Sequence, residues 1–141
     1  MTYENLLQEA TDSGYAVTEK TFKSRALGLN KGTKIGIRND LLCDEKLCVL
    51  AEEIGHALLT VGNILDRTDI GNMKQEHKAR CWAYRKLIGG ADIQAAIDAG
   101  CREYYEFAEH LGVSERFLRE CMQYYAGRDG PVMDEMVQEN V

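Results

Sequence analysis

The chain has 141 residues, of which 45% are hydrophobic and 28% are charged, as in a folded domain with its own core. Its net charge is −6, and because an acidic surface repels phosphate backbones, general nucleic-acid binding is disfavoured. No apolar run approaches the ~20 residues of a membrane span and no secretory signal opens the chain, so we expect a cytoplasmic protein without a membrane partner.

The cysteine spacing indicates the role of the thiols, and the charge is distributed unevenly along the chain. The five cysteines are scattered and none lies in a C-x-x-C pair, which favours reduced thiols over a zinc or disulfide role. Residues 1–39 contain six Lys or Arg and four Asp or Glu, whereas residues 40–141 contain eleven and nineteen. The first segment is therefore slightly basic and the second strongly acidic.

The first part of the chain predicts one helix and then a small sheet. Residues 3–12 place Leu6, Leu7 and Ala10 on one side of an amphipathic helix. Three short stretches within residues 15–38 have strand character, and the last alternates polar and apolar residues after a turn. We therefore predict a small antiparallel sheet over residues 15–38. Its basic residues most simply form a solvated face, with a binding surface as the alternative: Lys20, Lys23, Arg25, Lys31, Lys34 and Arg38.

Helices are predicted over the rest of the chain, at residues 40–61, 73–88, 91–99, 102–111 and 114–125. Asn39 or Asp40 is expected to cap the first of these helices. The loop that follows it contains Asp66 and Asp69, which are either solvated acids or the border of a cleft. The tail, residues 127–141, is expected to be loose. Together these elements predict a single, mainly helical α+β domain over residues 1–126.

The helix at residues 40–61 carries polar groups in an apolar setting. Apolar residues cover most of its circumference, so it is expected to be buried nearly all round. Glu52, Glu53 and His56 nevertheless lie in its middle, and buried charges need partners. Glu52 and His56 are four apart on one face, and Glu53 is rotated from them by about 100°. This arrangement suits two metal ligands with a general base beside them.

The next helix offers a third ligand, Glu76. It shares a face with Ala79 and Ala83, whose small side chains allow another helix to approach closely. Glu76 would then meet Glu52 and His56. Spacing alone favours a simpler alternative, in which Glu52 and His56 form an ordinary i,i+4 pair and Glu76 pairs with a basic neighbour on its own helix.

Four segments together resemble the ImmA/IrrE family of metallopeptidase-like proteins, found on phages and other mobile elements: "GLNKGTKIGIRNDL", "CVLAEEIGHALLTVGNILD", "KQEHKARCWAYRKLI" and "EFAEHLGVSERFLRECMQYY". The resemblance implies a zincin-like (gluzincin-like) active-site helix, with Glu52, His56 and Glu76 as metal ligands and Glu53 as general base. The family motif is usually H-E-x-x-H, so Glu52 departs from it; it fits a phage-borne branch with the pattern A-E-E-hydrophobic-G-H. Family members act on helix-turn-helix repressors, by cleavage or by displacement.

The departure at Glu52 changes the expected chemistry. Two neutral histidines and one carboxylate leave a divalent site at +1, whereas one histidine and two carboxylates leave it neutral. A less positive ion acidifies its water less, and oxygen ligands shift preference from zinc toward harder ions such as manganese. The two resulting hypotheses are a slow or selective metal-dependent endopeptidase, and a module that holds little or no metal and sequesters a repressor.

The segment at residues 106–121 resembles a helix-turn-helix unit, with Gly112 at the turn, Ser114 as cap, and Val113 placed to pack on Leu118. This raises a third hypothesis, a DNA-binding regulator. The second helix has no net positive charge, because two arginines are balanced by Glu115 and Glu120. A helical hairpin that completes the core, or a docking surface for a repressor, is therefore preferred.

Overall fold

The structure is a computed structural model that describes the backbone of residues 1–60 and 69–127 and the side chains of residues 1–59 and 74–127. It contains two compact units, Met1–Ala83 and Tyr84–Val141. The predicted loop acid Asp66 and all but the first residue of the predicted loose tail lie outside the described residues. The assignment of residues 1–126 to one domain stays a prediction.

The first unit contains a helix, three strands and a long helix, followed by the start of a second long helix. Their bounds are α1 Tyr3–Asp12, β1 Ala16–Lys20, β2 Gly28–Lys31, β3 Lys34–Arg38, α2 Cys43–Thr60 and α3 Asp69–Leu87. Helix α1 has the predicted bounds, and the combination of helices with a small sheet confirms the α+β class.

The sheet is mixed, with strand order β1-β3-β2. Strands β2 and β3 form the predicted antiparallel hairpin, and Gly32 supplies its turn with a φ of 60°. Strand β1 is parallel to β3, so the prediction of an antiparallel sheet is wrong for β1. The reason is the connection at residues 21–27, which brings β2 to the far side of β3. Arg38 stabilises this connection by donating hydrogen bonds from Nη1 to the carbonyls of Ser24 and Ala26, at 2.8 and 3.3 Å.

Helix α2 begins at Cys43, three residues later than predicted, and neither proposed cap residue is used. The Asn39 amide donates to Oγ1 of Thr21 at 3.1 Å, and the Asp40 carboxylate pairs with Arg38 at 2.9 Å. Both side chains are therefore engaged with the sheet region. Helix α3 begins at Asp69, four residues before the predicted start.

A polar triad joins three elements of the first unit. Tyr3 donates from its hydroxyl to Glu19 Oε2 at 3.0 Å, and the Lys46 ammonium lies 2.6 Å from Glu19 Oε1. The hydrogen bond from Lys46 lowers the pKa of Glu19, and burial raises the pKa of Tyr3. The triad therefore links α1, β1 and α2 around a carboxylate that stays ionised. The apolar core of this unit includes Leu6, Ile35, Ile37, Leu47 and Leu50.

The second unit contains the end of α3 and three shorter helices, α4 Gly90–Asp98, α5 Tyr104–Leu111 and α6 Glu115–Ala126. The predicted turn between α5 and α6 is confirmed: Gly112 has a φ of 72°, and Ser114 Oγ accepts a hydrogen bond from the Phe117 amide at 3.1 Å. Tyr125 is almost fully buried and donates to the carbonyl of Ile88 at 2.7 Å. Among the helices that the structure describes, none is long and apolar enough to cross a membrane.

Candidate active site

The polar residues of α2 lie in the middle of the helix, where the neighbouring apolar residues are buried. Leu50, Ala51 and Ile54 are each at most 6% exposed, whereas Glu52, Glu53 and His56 are half-buried. The apolar residues in the middle of α2 are therefore buried as predicted, but the prediction of a helix buried nearly all round is wrong at its ends, because Leu42, just before the helix, is 69% exposed and Leu58 is 46% exposed.

Helices α2 and α3 approach each other at a glycine. A Cβ atom added at Gly55 would lie 2.7 Å from the carbonyl oxygen of Ala79 and 3.2 Å from its Cα. Ala79 is fully buried, as its predicted role in a close approach requires. Gly55 is the matching small residue and was not predicted, although an isolated glycine in an apolar helix is a recognisable signal of close packing.

This contact brings His56 and Glu76 together. His56 Nε2 lies 3.3 Å from Glu76 Oε1, with the imidazole 18% exposed and the carboxylate 53% exposed. The second oxygen of Glu76 lies 3.8 Å from an Nη of Arg80, one turn further along α3. Two of the four predicted site residues therefore meet, and the basic neighbour considered as an alternative partner for Glu76 is present as well.

The side chain of Glu53 extends from α2 toward the edge strand β2. A Cβ atom added at Gly28 would lie 2.9 Å from Glu53 Cγ and 2.6 Å from a methyl group of Val49. The carboxyl stem therefore packs directly against the backbone of β2, and Gly28 is a second residue that the sequence analysis did not identify. A glycine at the start of a strand carries the relevant signal, because it allows another group to approach the backbone closely.

Negative charge accumulates around Glu53. Burial, together with the charges of Glu52 and Glu76, raises the pKa of Glu53 to about 7. A carboxyl group with this pKa can both accept and release a proton near neutral pH, which is the property that a general acid–base catalyst needs. The same accumulation of carboxylates would be relieved by a bound cation. An imidazole and a carboxylate that converge beside further carboxylates are also donors that divalent zinc or manganese accepts.

The metal-ligand assignment nevertheless remains a prediction. Among the side chains that the structure describes, those of residues 1–59 and 74–127, no group of three or more His, Cys, Asp or Glu is arranged to hold a metal ion. The structure joins His56 to Glu76 and places Glu52 close enough to affect the pKa of Glu53. The roles of Glu52, His56 and Glu76 as ligands and of Glu53 as base are therefore taken further as a proposal.

Two other groups considered in the sequence lie apart from this arrangement. His77 is exposed, as expected, and its Nε2 lies 3.5 Å from the thiol of Cys81. On α6, Arg116 and Arg119 pair with Glu120 and Glu115 at 3.2 and 2.8 Å. Because each arginine is paired with an acid on its own helix, this surface has no excess of positive charge for DNA.

Comparison of the chain with known proteins tests its resemblance to the ImmA/IrrE family. The model of the family Peptidase_M78, described as an IrrE N-terminal-like domain, matches residues 1–122. No curated protein and no solved structure matches the chain. The match covers α1 through most of α6, and so includes every candidate site residue. The resemblance to the ImmA/IrrE family is therefore confirmed.

Proposed function

Because the chain belongs to the Peptidase_M78 family of metallopeptidase-type proteins, we propose that it is a metal-dependent endopeptidase acting on a helix-turn-helix repressor. The observation that carries this proposal is the contact of His56 with Glu76 beside a carboxyl group, Glu53, whose pKa is raised to about 7. An ordinary surface ion pair needs no third carboxyl group held half-buried against it, whereas a hydrolytic site needs a base in that position.

The proposed roles of the four residues follow from the positions of their side chains. His56 and Glu76 are the central pair of metal ligands, and Glu52 is the third. A divalent ion held by these residues would supply Lewis-acid chemistry to the reaction. Glu53 takes the proton of the attacking water and passes it to the leaving amine nitrogen, so the peptide bond breaks and the carboxyl group returns to its starting state.

Glu52 determines which ion and what rate are expected. One imidazole and two carboxylates would cancel the charge of a divalent cation, so the ion would lower the pKa of water less than in a site with two histidines. We propose zinc as the physiological ion, with manganese as the ion that the oxygen-rich ligand set accepts next. Slow, selective cleavage suits a regulatory enzyme that acts on one repressor.

Metal analysis of the purified protein tests the ligand assignment. After supplementation with zinc or manganese, we expect one bound ion in the wild-type protein and a loss of metal in His56→Ala and Glu76→Ala. His77→Ala is the matched control, because it removes an exposed histidine one residue from Glu76 and should leave the metal content unchanged. A wild-type protein that binds neither ion refutes the endopeptidase proposal.

Glu53→Gln separates catalysis from binding. The amide keeps the size of the side chain but cannot accept a proton, so the variant should retain its metal and lose cleavage of the repressor. Retention of wild-type cleavage by this variant would show that Glu53 is not the base.

One observation favours a second function, the sequestration of a repressor without cleavage. Glu52 occupies the position where the family motif has its first histidine, and such a change is expected in a member that has exchanged catalysis for binding. In that case the metal-free protein and Glu53→Gln should bind the repressor as tightly as the wild-type protein does, and the repressor should remain intact. The third hypothesis, a DNA-binding regulator, would be supported only if the purified protein alone bound DNA sequence-specifically in a gel-shift assay.

A further inference from the structure

One face of the sheet carries positive charge that the fold does not use. The strand register places Lys20, Lys31 and Lys34 on the side of the sheet opposite the side that carries Ile35 and Ile37. Those two isoleucines are buried, whereas the three lysines are exposed. We use the term basic face for the exposed side chains of Lys20, Leu29, Lys31 and Lys34 on this side of the sheet, together with the exposed side chains of the connection at residues 21–27: Lys23, Arg25 and Leu27.

The cations of the basic face are not neutralised locally. Residues 13–38 contain six Lys or Arg and one acid, Glu19. That acid lies on the opposite side of the sheet, where Lys46 pairs with it, and Arg38 already has an acid partner. Within the part of the chain that the structure describes, the remaining five cations have no ion pair: Lys20, Lys23, Arg25, Lys31 and Lys34.

Some of these charges oppose each other directly across the strands. Lys31 is the cross-strand partner of Lys34, next to the turn of the hairpin. Like charges placed directly opposite each other destabilise a sheet. The arrangement therefore reduces the stability of the isolated unit, and a negatively charged partner would relieve it.

The centre of the basic face is apolar. Leu29 is 56% exposed and lies directly opposite Gly36, over which the Lys20 stem and the Phe22 ring pack. Leu27 is 42% exposed in the adjoining connection. An exposed leucine surrounded by unpaired cations is suited to a ligand that combines negative charge with an apolar side chain.

We propose that the basic face is the docking site for an acidic segment of a partner protein that also carries apolar residues. Nucleic acid fits less well, because residues 40–141 have a charge balance of −8 and repel a long phosphate backbone. The face also lacks an exposed aromatic platform among the residues described, since its one ring, Phe22, is half-buried over Gly36. A short acidic segment meets only the local positive charge. The proposal requires neither a bound metal nor peptidase activity.

Fluorescence anisotropy tests the proposal with a labelled twelve-residue peptide of aspartates and two leucines, at low ionic strength. Two competitors complete the assay: the same peptide with asparagine in place of aspartate, and a single-stranded oligonucleotide of equal length. The test variant is the triple substitution Lys20→Gln, Lys31→Gln and Lys34→Gln. The matched control replaces three exposed cations elsewhere, Lys78→Gln, Arg102→Gln and Arg116→Gln, and changes the net charge equally.

We expect the acidic peptide to bind the wild-type protein and the triple variant at the basic face to bind it about tenfold more weakly, since each exposed ion pair contributes about two- to threefold in affinity. The control variant should bind within about twofold of the wild-type protein, and salt should weaken binding. Equal losses in the two variants, tighter binding of the oligonucleotide, equal binding of the asparagine peptide, or no binding of the acidic peptide would each overturn the proposal. Circular dichroism and urea unfolding verify that both variants are folded.

Discussion

Replacement of Glu53 by glutamine should stabilise the metal-free protein at neutral pH. In the folded chain, burial and the neighbouring charges of Glu52 and Glu76 raise the pKa of Glu53 from 4.5 to about 7. Below pH 4.5 the carboxyl group is protonated in both the folded and the unfolded chain, and it has no effect on their balance. Between pH 4.5 and 7 the unfolded chain releases this proton more readily than the folded chain does, so stability falls as the pH rises.

The size of the effect follows from the change in pKa. A rise from 4.5 to about 7 corresponds to about 3 kcal/mol of lost stability above pH 7, and partial exposure of the side chain reduces this to about 1–2 kcal/mol. Glutamine cannot ionise, so Glu53→Gln should recover this amount at pH 8 and almost nothing at pH 4.5. The difference in unfolding free energy between the variant and the wild type removes the contributions of all other titrating groups, because both proteins share them.

Urea unfolding in the presence of a chelator measures this difference at a series of pH values. Glu45→Gln is the matched control, because it makes the same exchange in the first turn of the same helix, where the helix dipole favours a negative charge, and it should give no gain in stability. A Glu53→Gln advantage that does not change between pH 4.5 and 8 would refute the reasoning. It would mean that Glu53 is not held in a buried, negatively charged setting.

Two further substitutions test the packing at the candidate site, and a third tests the N-terminal cap of α6. Gly55→Ala should destabilise the protein by about 1–3 kcal/mol in urea unfolding, although alanine favours helices, because the new Cβ meets the Ala79 carbonyl at 2.7 Å. Adding Ala79→Gly should not restore stability, since the colliding atom belongs to the backbone. Gly28→Ala should displace the Glu53 side chain and reduce kcat for repressor cleavage by about tenfold or more, with metal content unchanged. Ser114→Ala should lose about 1 kcal/mol of stability, because it removes the acceptor for the first turn of α6.

The elements that were predicted correctly are those governed by local chemistry. Helix α1 follows from its amphipathic period, and the start of α6 follows from a serine cap after a glycine in the left-handed region. The alternation at residues 34–38 likewise identified β3. In each case neighbouring residues determine the conformation, so the sequence pattern is sufficient.

The features that the sequence did not reveal depend on distant contacts. Alternation identifies a strand but not its neighbour, so the parallel pairing of β1 with β3 could not be predicted. Asn39 and Asp40 are good cap residues, yet Asn39 donates to Thr21, 18 residues earlier, and Asp40 pairs with Arg38 of β3. The position of Glu53 against β2 depends on Gly28, which is 25 residues away in sequence and carries no side chain to signal the contact.

The charges around Glu53 connect the stability of this protein to its proposed activity. Burial, together with the charges of Glu52 and Glu76, raises the pKa of Glu53, which makes the metal-free protein less stable as the pH approaches 7. A divalent cation bound by Glu52, His56 and Glu76 would cancel the same charges, so its binding should stabilise the fold most where the metal-free protein is weakest. A histidine at position 52 would contribute no such charge and would leave less of this repulsion for the cation to relieve. The carboxylate that departs from the family motif is therefore expected to weaken water activation while it strengthens the dependence of folding on the metal.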